Sequence, residues 1–133
     1  VPTNITLLRR RRTGGAGPEA AAPVITGVPT ILGAAEVGLT LSALAATVTG
    51  TPTPTRTWQW FRGATPISGA TTSAYTPVYA DLGAVLTVRQ TETNSSGSVN
   101  ATSAATAAVI LRGRFDFGQF QQSANILLFT GAL

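Results

Sequence analysis

The stretch from Thr57 to Asn94 constrains the fold more than any other part of the chain. In Thr57-Trp58-Gln59-Trp60-Phe61-Arg62-Gly63 two tryptophans stand two residues apart, so on an extended strand both point to one face. Arg62-Gly63 then supplies a tight turn that brings the chain back toward Ile67. A Gly69-Ala70-Thr71 bend, a short Tyr75-Thr76-Pro77 piece, an Asp81-Leu82-Gly83 corner and a long alternating run follow. Short extended pieces separated by turn signals predict an all-β sandwich. Strands are expected near Val24 to Val28, from Leu39 to about Thr47, from Thr57 to Phe61, at Pro66 to Ser68, at Ser73 to Thr76, from Val85 to Thr93 and from Ser98 to Ile110. Asn94-Ser95-Ser96-Gly97 joins the last two. Between Val37 and Val48 the apolar residues fit a helical face and strict alternation equally well. Gly38, Thr40, Thr47 and Thr49 are poor helix formers, and that decides for a strand.

Composition removes most chemistry. The chain has no Cys, His, Lys or Met. A Ser or Cys nucleophile needs an adjacent base, usually His or Lys, and the usual zinc and copper sites need imidazole or thiolate ligands. Neither arrangement is available. The acids are Glu19, Glu36, Asp81, Glu92 and Asp116, and no two are close enough in sequence to form a paired-carboxylate motif. Asp81 reads as the cap of the corner and Glu92 as a solvated strand residue. No catalytic, cofactor-binding or metal-ligating residue is assigned, and the chain is expected not to be an enzyme.

A length of 133 residues with 44% apolar content suits one core that needs no disulfide. Val1 to Arg12 has its arginines after the apolar residues, the reverse of a secretory signal, so export by that route is not expected. The longest apolar region, Ala20 to Ala35, is interrupted by Pro23 and Pro29 and is shorter than the ~20 residues that cross a bilayer. No membrane partner is expected.

Charge is unevenly placed. Arg9, Arg10, Arg11 and Arg12 stand in a segment that continues into Thr13-Gly14-Gly15-Ala16-Gly17-Pro18, a flexible composition. From Pro23 to Ile110, by contrast, Arg56, Arg62 and Arg89 balance Glu36, Asp81 and Glu92. The chain therefore divides into a basic arm and linker over 1–22, a neutral body over 23–111 and an extension over 112–133. Guanidinium groups bind phosphates well, yet no aromatic residue is interleaved with the arginines and no basic face runs along the body. A nucleic acid is thus not the expected partner. Docking of the arm on an acidic protein surface is the first reading, and a solvated tail the second.

The extension carries four of the five phenylalanines, in Arg114-Phe115-Asp116-Phe117-Gly118-Gln119-Phe120 and then Ile126-Leu127-Leu128-Phe129. A complete sandwich has no vacant core for them. They form an extra strand on their own domain or an interface with another chain. Phe115, Phe117, Phe120, Ile126, Leu128 and Phe129 join the four arginines as candidate partner-binding residues, and self-association is open to the same segment.

The tryptophan strand, the Gly-Ala-Thr bend, the Tyr75 strand, the Asp81-x-Gly83 corner and the alternating strand after it resemble, in that order, the immunoglobulin-like domains of bacteria and phages. The likeness covers roughly Pro23 to Ile110. It implies an immunoglobulin-like sandwich of about seven strands. The match departs from the antibody pattern in lacking both inter-sheet cysteines and in placing Val85 where a corner tyrosine would stand. The corner pattern turns Val85 and Thr87 inward, whereas hydrophobicity turns Leu86 and Val88 inward, and the second phase is adopted. The expected core is Trp60, Leu41, Leu86 and Val88. Because such domains recur on tailed-bacteriophage heads, tail tubes and baseplates, the resemblance implies a virion structural protein assembled in the host cytoplasm. The expected role is a head decoration, or cement, subunit held by its arms to other virion proteins, foremost the major capsid protein. A tail or baseplate accessory protein is the alternative within that class. A bacterial adhesion or carbohydrate-binding module is the alternative outside it, and would require Trp58, Tyr75 and Tyr79 to be exposed together.

Overall fold

The computed structural model describes residue 15 and residues 17–113. Nine strands run in the order β1 (Ala21–Thr26), β2 (Thr30–Leu32), β3 (Leu41–Leu44), β4 (Thr47–Thr51), β5 (Thr55–Arg62), β6 (Thr65–Pro66), β7 (Ala74–Tyr75), β8 (Leu86–Asn94) and β9 (Gly97–Thr102), with one 3-10 turn at Tyr79–Asp81. All strand pairs are antiparallel. One layer is the sheet β6-β5-β8-β9. The other is β2-β3-β7, continued past a shared interruption by the pair β1-β4. This is an immunoglobulin-like sandwich: the tryptophan strand β5 lies beside β8 in one layer, and β3 and β7 face them from the other.

The interruption has a local cause on each side. Gly27 sits at φ +86, and the buried Pro29, which has no N–H to donate, breaks the ladder between β1 and β2. Opposite them, Ala46 turns inward and gives both its backbone groups to the Gln90 side chain, at 2.8 Å for its N–H and 3.2 Å for its carbonyl. The single strand expected from Leu39 to about Thr47 is therefore two, and β2 was not anticipated.

Alternation in β5 and β8 places Trp58, Trp60, Leu86, Val88, Gln90 and Glu92 on one face, with Trp60 directly opposite Val88 and Trp58 opposite Gln90. Trp60, Leu41, Leu86 and Val88 are fully buried, together with Val109 and Ala70. The Trp60 ring lies 5.6 Å from that of Tyr75, and its indole N–H donates to the Thr72 carbonyl at 2.9 Å. Thr87 is half-buried and Val85 exposed, so the core takes the phase set by hydrophobicity.

Two tight hairpins fix the register of the tryptophan layer. Arg62 pairs with Thr65 across Gly63-Ala64, where Gly63 adopts φ +54, and Asn94 pairs with Gly97 across Ser95-Ser96. The expected final strand from Ser98 to Ile110 is regular only as far as Thr102. Beyond it the N–H groups of Ser103, Thr106 and Val109 donate to the carbonyls of Val88, Leu86 and Ala84. The chain thus advances three residues for every two of its neighbour. The Ser103 and Thr106 hydroxyls accept from the N–H groups of Val88 and Leu86 at 3.1 and 3.0 Å and so replace ladder carbonyls. The intervening alanine pairs, Ala104-Ala105 and Ala107-Ala108, loop outward and are exposed.

Candidate functional site

Two buried polar constellations organise the inter-layer space. At the corner, the fully buried Asp81 accepts from the Val78 amide at 2.8 Å and the Tyr75 hydroxyl at 2.7 Å, and pairs with the Arg62 guanidinium at 2.6 Å. Burial alone would raise the Asp81 carboxyl. The amide, the hydroxyl and the guanidinium together outweigh that and hold it below its ordinary 3.8. Burial, with the Asp81 hydrogen bond, pushes the Tyr75 hydroxyl up to about 12. Arg62 is raised by its bond to Asp81. All four groups are mutually satisfied, and the arrangement locks the corner to β5 and β7.

The second constellation was misread in the sequence. Glu92 is only 1% exposed, not solvated. Its Oε1 accepts from the Gln90 side-chain amide at 2.8 Å and pairs with the Arg56 guanidinium, while its Oε2 is buried without a hydrogen bond. Alternation explains the position, because Arg56 and Glu92 stand opposite each other on the inward face. Through Gln90 the network reaches Ala46 in the other layer. In antibody domains a disulfide between the equivalent strands makes that link. The signal was legible in principle: Gln90 and Glu92 continue the inward phase of Leu86 and Val88.

Among the described residues Trp58, Tyr75 and Tyr79 do not form an exposed platform. Trp58 faces inward, half-buried, with the Arg56 guanidinium 5.9 Å from its ring centroid. Tyr75 packs on Trp60, and among the described aromatic residues Tyr79 alone is exposed, at 68%. The outer face of the tryptophan layer is instead rich in threonine, with Thr55, Thr57, Thr91 and Thr93 in facing pairs and Arg89 stacked 4.6 Å over the Phe61 ring. Glu36 is the remaining carboxylate of the body and lies 3.4 Å from Arg112. Among the described residues no cluster of acids could hold a metal ion.

One concavity stands out, a recess of about 520 Å³ beside β2 and the path after Thr102. It is lined by Val28 to Ile31 and Gly33 to Glu36, and by Ala104 to Ala108 with Ile110. Val28 and Ile110 are 56% and 55% exposed beside it. The recess ends where the chain before β3 crosses to the other layer, with Ile110 donating to Ala35 and accepting from Val37, both at 2.9 Å. The Glu36 Oε2 is buried there and, without a hydrogen bond of good geometry, faces the Arg112 Nε at 3.4 Å. No motif announced this flank, because it results from the three-for-two path after Thr102.

Of the candidate partner-binding residues, Arg9, Arg10, Arg11 and Arg12 and Phe115, Phe117, Phe120, Ile126, Leu128 and Phe129 lie outside the described residues.

No family model matches the chain, and no curated protein matches it in sequence. Among solved structures it is similar to one described as Sidekick-1 immunoglobulin domains 1-5, with 24% identity and a TM-score of 0.40 over 71% of this chain and 21% of that one. The immunoglobulin-like assignment rests on the strand order and the layer contacts described above.

Proposed function

We propose that the chain is a non-enzymatic structural subunit of a bacteriophage virion, a head decoration protein whose sandwich is a scaffold and whose flanking segments, 1–22 and 112–133, attach it to the major capsid protein and to neighbouring subunits. The observation that carries the non-enzymatic, assembly reading is the disposition of its functional groups. Trp58, Trp60 and Tyr75 are turned into the sandwich, and Asp81, Glu92 and Glu36 each face an arginine. A glycan site needs an exposed aromatic surface, and general acid–base chemistry needs an uncommitted carboxylate in a cleft. What the body offers outward is threonine-rich sheet and an apolar flank, surfaces suited to another protein. The bacteriophage setting is supported by the order of the tryptophan strand, the bend and the Asp-x-Gly corner, which resembles domains found on such particles.

The test is to purify particles from a lysate of the host that encodes the chain and to compare it with the major capsid protein across a density gradient. The proposal expects the two to band together at a fixed ratio. Recovery of the chain only among unassembled proteins overturns it.

A further inference from the structure

We propose that the recess beside β2 and the path after Thr102 is covered by this chain's own residues 114–118, with Phe115 and Phe117 packed against its walls. The proposal goes beyond the assembly reading and does not depend on it. It assigns the start of the extension to the body, fixes where the rest departs, and leaves Phe120, Ile126, Leu128 and Phe129 to a partner.

The recess suits aromatic rings. Val28, Ile31 and Ile110 give it branched apolar walls, the alanine pairs after Ser103 give it a low rim, and Val28 and Ile110 are both more than half exposed. At about 520 Å³ it has room for two or three phenyl rings, taking the ~150 Å³ of a cavity that encloses one benzene. The rim can also bond a segment laid along it. The N–H groups of Ala104, Ala105, Ala107 and Ala108 donate to no described residue, whereas those of Ser103, Thr106 and Val109 are bonded to the neighbouring strand. Backbone carbonyls of an extended segment can accept from them.

The exit of the chain selects the occupant. Ile110 belongs to the wall and runs parallel to residues 35–37, donating to Ala35 and accepting from Val37. Glu36 belongs to the same wall, and Arg112 is tied to it, with Nε 3.4 Å from Oε2. The Gly113 N–H then donates to the Leu111 carbonyl at 2.8 Å, so a three-residue turn centred on Arg112 ends the parallel run. Gly113 is thus one residue beyond a side chain anchored at the recess. Phe115 and Phe117 follow within about 7 and about 14 Å of extended chain, and at that spacing both rings share a face. So short a tether holds them at an effective concentration in the mM range, which a second copy in dilute solution does not match.

Because the chain contains no cysteine, introduced pairs report the contact without background. Full-length protein carrying Ala107→Cys with Asp116→Cys or with Gln119→Cys is oxidised by glutathione disulfide in dilute solution, and closure of the monomer is read by mass and gel mobility. The control replaces Ala107→Cys with Thr57→Cys, on the outer face of the tryptophan layer. At least one Ala107→Cys pair is expected to close about tenfold or more above its control, and adding Phe115→Ser and Phe117→Ser should remove that excess. Equal closure with Ala107→Cys and Thr57→Cys overturns the proposal, as does closure that survives both serines. So do products that form only between chains, since the occupant is then a second copy. A measurement without cysteines checks the same contact: Phe115→Ser with Phe117→Ser should speed hydrogen exchange at Ala104, Ala105, Ala107 and Ala108 and leave Trp60 as it was. Unchanged exchange at the four alanines overturns the proposal, and the density-gradient result bears on neither measurement.

Discussion

Single side chains carry the inter-layer ties, and their substitution should separate packing from polar contributions. Trp60 fills the centre of the core, so Trp60→Ala is expected to cost about 3–5 kcal/mol in denaturant unfolding, and an unchanged midpoint would place the core elsewhere. Gln90 offers a sharper contrast. Gln90→Leu keeps the volume but strips two bonds from the buried Ala46 backbone and one donor from Glu92, so it should cost about 2–3 kcal/mol, nearly as much as Gln90→Ala. A neutral Gln90→Leu would show that the tie is dispensable. At the corner the signs of the titrations differ. The Asp81 carboxyl is held below 3.8 in the fold, so its contribution is complete at neutral pH and is lost as pH falls below 3.8 through the folded value. The Tyr75 hydroxyl is raised from 10 to about 12, so stability is complete below pH 10 and declines as pH rises from there to about 12. Tyr75→Phe should flatten the alkaline decline, and Asp81→Asn should flatten part of the acid decline. Unfolding midpoints measured across pH for the three proteins check both; parallel curves would remove the corner from the account.

At the scale of elements, the tryptophan layer was legible and the flank was not, for identifiable reasons. Trp58 and Trp60 define a phase, and Leu86, Val88, Gln90 and Glu92 continue it across the pairing, so β5 and β8 could be read from alternation alone. The interruption between β3 and β4 could not, because it depends on a side chain forty-four residues away taking the Ala46 backbone. β2 is three residues long and lies between a glycine and the crossing, too short for any period to show. The run from Ser98 to Ile110 alternates well enough to pass for one strand. Its departure from the ladder depends on the hydroxyls of Ser103 and Thr106 competing with backbone carbonyls, a contest that composition does not reveal. Ser103→Val with Thr106→Val should therefore leave the N–H groups of Val88 and Leu86 without acceptors and cost about 1–3 kcal/mol for each group. Hydrogen exchange reads this directly, through faster exchange at Leu86 and Val88 with Trp60 protected as before. Unchanged protection at both amides would mean that the hydroxyls do not hold the path.

For the whole molecule, the central question is how a neutral body could hold a fixed place in an assembly. Arg56 and Arg62 of the body, and Arg112 just beyond it, face Glu92, Asp81 and Glu36, and Arg89 stacks on Phe61, so little long-range field remains for steering. In sequence the basic run Arg9 to Arg12 precedes the body and the aromatic segment after Gly113 follows it. A division of labour follows from these chemistries. Guanidinium contacts on a partner surface set encounter and register and are screened by salt, with a Debye length near 8 Å at physiological ionic strength. Buried phenylalanines set residence time and respond weakly to salt. Replacing Arg9 to Arg12 with Gln should therefore leave the melting curve of the body unchanged, slow attachment to particles lacking the chain, and remove most of the salt dependence of that attachment. Replacing Phe115 and Phe117 with Ser should instead speed dissociation and preserve the salt dependence. Attachment rates and release rates measured at several salt concentrations, on particles with and without packaged genome, separate these roles. Salt-independent attachment by the parent chain would overturn an electrostatic role for the arginines, and attachment only to genome-filled particles would transfer that role from a protein surface to nucleic acid.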